Sequence, residues 1–257
     1  MRLSRLWVAI FMLRRAWAVV LEGWKVRPPT KADLTAVEAN QLHHATQTIG
    51  VPAVSLCRKG FPQAVIQDPS KHKFGAGLVR LTCPHLCEAI DDWERQDAVR
   101  ALSRELLAER PSEGPRALAR VNARHAATRQ SLVGPEAEAA AVARIGEAAV
   151  AHAMKSGIAG ITPTKLNDIK CLHAQVADEL LSGDNDIGKQ ILARLQSDRG
   201  VDPAGSAVCH EQCAGCQGGW SYTPVKNKQK LWKTKERRKE HIERRRQGFK
   251  TPLGPPL

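Results

Sequence analysis

An α+β fold is the expectation for this chain of 257 residues: a small three-stranded antiparallel sheet followed by a mainly helical body, with a basic extension at each end. Three observations carry it. Short β-branched segments divided by Gly and Pro turns fill the stretch before Pro84. Beyond Pro84 apolar residues recur at helical spacing, and the charge is gathered at the two ends. With 42% hydrophobic residues the chain has the apolar content of a folded protein, which disordered chains lack. Its length suits one domain plus extensions, at roughly 100–200 residues per domain. The expected divisions are an N-terminal extension over 1–29, an α+β domain over 46–217 and a tail over 218–257.

Residues 1–29 are apolar and basic, with Arg2, Arg5, Arg14, Arg15, Lys25 and Arg27 against the single acid Glu22. A secretory core of about 7–15 apolar residues would be uncharged, and Arg14 and Arg15 interrupt it. On a helix Leu6, Ile10, Leu13 and Trp17 share a face, the amphipathic, acid-poor pattern of an organellar transit peptide. That reading sends the chain to a mitochondrion or plastid; an ordinary amphipathic helix would leave it in the cytoplasm or nucleus. No stretch reaches the roughly 18 uninterrupted apolar residues of a membrane span.

Residues 51–57, 63–67 and 77–82 are short, β-branched and separated by turns such as Lys59-Gly60-Phe61-Pro62, which reads as an antiparallel meander. Leu86, Ile90 and Trp93, then Leu102, Leu106 and Leu107, sit at helical spacing up to Pro111. Ala- and Arg-rich helices follow over 116–131 and 136–155. A glycine-rich loop, Gly157 to Ile161, leads to a helix over 169–182, with Gly183 as its C-cap, and to a last helix over 187–198. The loop follows no strong strand, so it is a weak phosphate cradle.

The formal net charge of +13 is uneven. Residues 226–250 hold twelve basic residues against Glu236, Glu240 and Glu243. The body between the two ends is close to neutral, so whole-chain charge does not mark the domain as a nucleic-acid binder. The interleaved acids fit a solvated, partly helical tail. Salt-sensitive contact of 226–250 with nucleic acid or phosphate is the functional alternative.

Seven cysteines without a secretory signal point to thiols or metal rather than a disulfide framework. Cys209, His210, Cys213 and Cys216 offer three thiolates and an imidazole in eight residues, a local set for zinc, which takes four S/N ligands. Cys57, Cys83, Cys171 and His173 form a candidate long-range set; the competing reading makes such cysteines small buried hydrophobes. Cys171 and His173 are two apart and on a regular helix point about 200° from one another. They reach one site only at a frayed first turn. With no general base evident beside an open position, any zinc is expected to be structural.

Several motifs in order resemble the domain of unknown function 501 family over about residues 46–209. They are Gly50-Val51-Pro52-Ala53-Val54, Cys57 with Gly60, Pro62 and Val65, and Leu81-Thr82-Cys83-Pro84. The second half adds Gly157 to Ile161, Ile169-Lys170-Cys171-Leu172-His173-Ala174, and Gly183-Asp184-Asn185-Asp186-Ile187-Gly188. Ile169 and Asp186 stand where the family usually has Val and Pro. The resemblance implies that Cys57, Cys83, Cys171 and His173 occupy family motif positions. The family is mostly bacterial and has no assigned activity, so no reaction comes with it.

Three readings of function follow: an uncharacterised domain with a Cys/His zinc site, a thiol- or metal-dependent enzyme on an anionic substrate, and a nucleic-acid or ribonucleoprotein-binding module using 226–250. In the enzyme Cys83 or Cys171 is the nucleophile or ligand and His173 the base, with Lys170 or Arg80 holding the anion.

Overall fold

A computed structural model of the chain describes residues 21–71 and 77–206. The α+β expectation holds, with four strands among the described residues instead of three. β1 (Val26–Arg27), β2 (Thr48–Pro52), β3 (Ala64–Gln67) and β4 (Val79–Leu81) form one antiparallel sheet in sequence order. Val26 pairs with Pro52, Gly50 with Ile66, and Val65 with Arg80, with a bulge in β2 between Thr48 and Gly50.

The first expected strand, 51–57, is displaced. β2 stops at Pro52, Val54 is 74% exposed, and Cys57 to Phe61 close a turn through the Cys57 amide and the Phe61 carbonyl. Proline has no N–H to extend the ladder, which is why strands end there. β1 is too short to show any period-2 pattern and borrows its order from the edge of β2.

β3 explains the apolar run at 63–67. Ala64 and Ile66 enter the main core, whereas Val65 joins Val37, Leu42 and Val51 in a smaller cluster on the other face. A strand covered on both sides needs no polar alternation. The cover over Val65 comes from α1 (Lys31–Leu34), which continues as a π-helical turn over Thr35–Gln41. Thr30 and Asp33 form a reciprocal capping box at its start, and Arg27 clamps Asp33 with two hydrogen bonds of 2.6 and 3.0 Å.

The helical body follows. α2 (Pro84–Arg95), α3 (Ala98–Ser103, extended by a π-helical turn over Arg104–Ala108) and α4 (Gly114–Leu132) fall where expected. The single helix expected over 136–155 is two, α5 (Pro135–Ile145) and α6 (Glu147–Lys155), because Gly146 adopts φ +86° between them. α7 (Leu172–Ser182) and α8 (Asp186–Ser197) end the described body. α7 lies on the sheet: Leu172, Val176 and Leu181 pack in the same core as Ile66, Leu81 and Ile90.

The turn between α7 and α8 gives the motif 183–188 its physical meaning. Gly183 takes φ +64° beyond α7, and buried Asn185 caps α8 by accepting the Gly188 amide at 2.9 Å. A Cβ at Gly188 would sit 2.4 Å from the Gln175 carbonyl oxygen, so the two helices meet at a residue without a side chain.

The folded body also begins earlier than the expected boundary at 46, taking in the last part of the 1–29 extension. Leu21 and Trp24 are buried, the Trp24 indole N–H donates to Thr128 Oγ1 at 2.8 Å, and the Lys25 amide donates to the Leu181 carbonyl at 2.8 Å. Trp24 stacks edge-on to His125 and lies under the Arg124 guanidinium. Residues 1–20, most of the 1–29 extension that carries the targeting expectation, lie outside the described residues, as does the tail 226–250. No helix among the described residues is long and apolar enough to cross a membrane.

Candidate metal centre

Helix α2 brings carboxylates to the start of α7. Cys87, Asp91 and Glu94 are spaced by four and three residues, so they share one face of α2. α7 opens abruptly because the chain before it is locked out of helical geometry. Lys170 has φ +66°, the Ile169 amide donates to buried Ser103 Oγ at 3.0 Å, and the Lys170 amide donates to Asp168 Oδ1 at 2.8 Å. Cys171 is therefore an extended N-cap, φ −154° and ψ 117°, and the expected helix start at 169 moves to Leu172. This is the frayed-turn condition under which Cys171 and His173 can face one site.

They do so. The Cys171 sulfur, a His173 ring nitrogen and a Glu94 carboxylate oxygen all lie within 4.8 Å of one another. Glu94 Oε1 accepts the Leu172 amide at 2.8 Å and lies 3.4 Å from His173 Nδ1. Asp91 Oδ1 approaches Nε2 at 3.6 Å, so the imidazole has a carboxylate at each nitrogen. Burial by itself lowers the His173 pKa, but hydrogen bonds with Cys171 and Glu94 and their negative charge outweigh it, raising it to about 10. The Cys87 thiol moves upward, chiefly through burial, with Cys83, Asp91 and Cys171 adding to the shift and Arg80 opposing it.

The other sequence candidates separate from this group. Cys83 is the buried N-cap of α2, where its sulfur accepts from Gln63 Nε2 at 3.7 Å. Cys57 is buried in the 57–61 turn, its sulfur accepting the Phe61 amide at 3.4 Å. Neither supplies an atom to the Glu94–Cys171–His173 group. Arg80 is half-buried with its pKa lowered by burial, and Lys170 is exposed. Cys209, His210, Cys213 and Cys216 lie outside the described residues. A shallow open depression lined by Glu38, Ala39, His43, His44 and Ala45 shares no residue with the centre.

Sequence reasoning missed Glu94 and Asp91. The signal was present as Cys83, Cys87, Asp91 and Glu94, repeating every three or four residues along the helix opened by Pro84. Acidic residues on a helix face are ordinarily solvated, and only the contact with α7 distinguishes these two.

The group unites one sulfur, one imidazole nitrogen and one carboxylate oxygen, donors that suit zinc among the common divalent ions. Around it stand the outer contacts that such sites use: Asp91 at the far nitrogen of His173, and the Leu172 amide on Glu94.

Fold and site thus define an α+β domain with a mixed Cys/His/Glu cluster at a helix start. The family model for protein of unknown function (DUF501) matches residues 53–193, more than half of the chain, and the chain belongs to that family. No curated protein and no solved structure matches it.

Proposed function

We propose that the domain binds a single divalent metal ion, zinc by donor chemistry, through Glu94, Cys171 and His173. The observation that carries this is the convergence of the three donor atoms within 4.8 Å, with His173 Nδ1 on the Glu94 side and Asp91 backing Nε2. Three protein donors leave a fourth tetrahedral position for water or an anionic substrate, the arrangement of catalytic rather than structural zinc sites. His173 and Glu94 side chains are 23% and 17% exposed, which gives that position access to solvent.

The test is metal content of the full chain against Cys171→Ser and His173→Ala variants. All are made in a Cys209→Ser/Cys213→Ser/Cys216→Ser background, which removes the local cysteine set. Metal that survives in the background and is lost in both single-site variants supports the reading; a metal-free background chain excludes it.

A second reading, a thiol-dependent enzyme, is favoured by the Cys171 sulfur lying within 4.8 Å of a His173 ring nitrogen, with Glu94 beside the same ring. That order of nucleophile, base and orienting carboxylate is what nucleophilic thiols require. Alkylation of Cys171 that is as fast in His173→Ala as in the parent would exclude it.

A further inference from the structure

The glycine-rich loop after α6 meets the buried face of α4 at polar groups that the metal centre does not use. Arg129 is 1% exposed, the largest of the fully buried side chains among the described residues. Its Nη1 donates to the Ser156 carbonyl at 2.6 Å, while its Nε is buried with no hydrogen-bond partner among the described residues. Asn122 lies two turns earlier on the same face of α4. Its Oδ1 accepts the Ile158 amide at 3.1 Å, and its Nδ2 is likewise buried without a partner among the described residues. The Ser156 carbonyl and the Ile158 amide flank one residue, Gly157, so the two backbone atoms that these side chains hold lie within about 7 Å of one another. A Cβ at Gly157 would sit 2.1 Å from Asn122 Oδ1, so a glycine is what lets the loop come this close.

The charge of Arg129 is the open question at this junction. No carboxylate of the described residues pairs with it, and burial draws its pKa down with no acid to oppose the shift. The buried carboxylate that α4 does engage, Asp178, is held by Arg124 at 2.5 Å and by His125 at 2.7 Å. An ordered water can satisfy a free N–H group, but it leaves a buried guanidinium without a counter-charge, which is costly in the interior.

We propose that Arg129 and Asn122 hold a small inorganic anion of halide size against the glycine-rich loop, as a structural counter-ion between α4 and residues 156–158. The donors set the size. Arg129 Nε and Asn122 Nδ2 offer two N–H groups in an enclosed place. A tetrahedral oxyanion brings four oxygens and would leave most of them unsatisfied, whereas a halide accepts from whichever directions its donors lie. Neither residue belongs to the Glu94–Cys171–His173 group, so this site stands apart from the metal reading.

The experiment follows thermal unfolding of the full chain at fixed ionic strength, with chloride replacing gluconate, an anion too large for the place. The expected result is a melting temperature that climbs by about 3–5 °C for each tenfold rise in chloride once the site fills, with bromide acting alike. The dependence is lost in Arg129→Met and weakened in Arg129→Lys, which keeps the charge but not Nε. Anomalous scattering from bromide in crystals of the parent chain then locates the ion, within hydrogen-bonding reach of Arg129 Nε and Asn122 Nδ2. A melting temperature that is the same in chloride and gluconate overturns the proposal. So does bromide found only elsewhere, or an acidic side chain or a water found against Arg129 Nε in its place. The parent measurements decide this, whatever the variants' folding.

Discussion

Replacing Glu94 separates jobs that one carboxylate combines. Its Oε1 satisfies the Leu172 amide at 2.8 Å in the first turn of α7, and the same oxygen faces His173 Nδ1 at 3.4 Å. Glu94→Ala removes both contacts. An acceptor lost from a helix N-terminus costs about 1 kcal/mol, and a hydrogen bond to a charged group about 1.5–3 kcal/mol. Glu94 and His173 are 17% and 23% exposed, so water recovers part of the second loss. The expected destabilisation is about 2–3 kcal/mol. Glu94→Gln keeps a carbonyl oxygen for Leu172 and gives up only the charge, at about 1 kcal/mol. The assay is urea unfolding of the full chain with chelator present, comparing midpoints at unchanged m-value. Equal losses in the two variants would mean that the amide contact contributes nothing. No loss in Glu94→Ala would refute the account of how α7 begins.

Three further outcomes follow from the fold. Burial raises the Asp33 pKa, but hydrogen bonds from Arg27 and Thr30 overcome this and lower it from 3.8 to about 2. A depressed carboxylate stabilises the fold above its ordinary pKa and loses that contribution as pH falls from about 4 toward about 2. With Arg27 34% exposed, about 1–2 kcal/mol is expected. Acid unfolding curves of the parent and Asp33→Asn should differ at neutral pH and converge below pH of about 2; a constant gap would contradict the pairing. Gly188→Ala puts a methyl carbon 2.4 Å from the Gln175 oxygen and 2.6 Å from Glu179 Cβ, so α7 and α8 must part. A loss of roughly 1–3 kcal/mol or more is expected by thermal unfolding, and an unchanged melting temperature would show the contact to be loose. Asn185→Ala removes the α8 cap and two hydrogen bonds to Gln175, of 3.2 and 2.9 Å, in a fully buried position. A cost of about 2–4 kcal/mol is expected in the same assay, and a change within experimental error would remove Asn185 from the account.

Much of the fold was legible because periodicity and helix punctuation are local. Pro84, Pro111 and Gly183 bound helices where they should. Asp186 opens α8 as its first residue, where an acidic side chain suits the helix N-terminus. Ile169, the apolar residue just before the left-handed Lys170, is fully buried. What escaped depends on distant partners. β1 exists only because β2 offers an edge, and Trp24 is ordered by Thr128, His125 and Arg124 from α4. Gly146 could have continued a helix at modest cost, and nothing in the neighbouring sequence demands its φ of +86°.

The site divides in the same way. Cys171 and His173 stood out as a dense pair of reactive types, and the geometric condition for their meeting was readable: the helix had to begin after Cys171. That Lys170 would turn left-handed and enforce it was not readable, since lysine has no preference for that region. Cys57 and Cys83 looked equivalent to Cys171 by type, yet the fold buries them in separate turns. Glu94 became a site residue only when α2 crossed α7.

The central claim is that Glu94, Cys171 and His173 hold one metal ion. It is tested most directly by X-ray absorption at the metal edge of the zinc-loaded full chain in the Cys209→Ser/Cys213→Ser/Cys216→Ser background. A single sulfur at about 2.3 Å with nitrogen and oxygen neighbours at about 2.0–2.2 Å is predicted, the sulfur vanishing in Cys171→Ser. A shell of oxygen alone, or one with sulfur that Cys171→Ser leaves untouched, would contradict it.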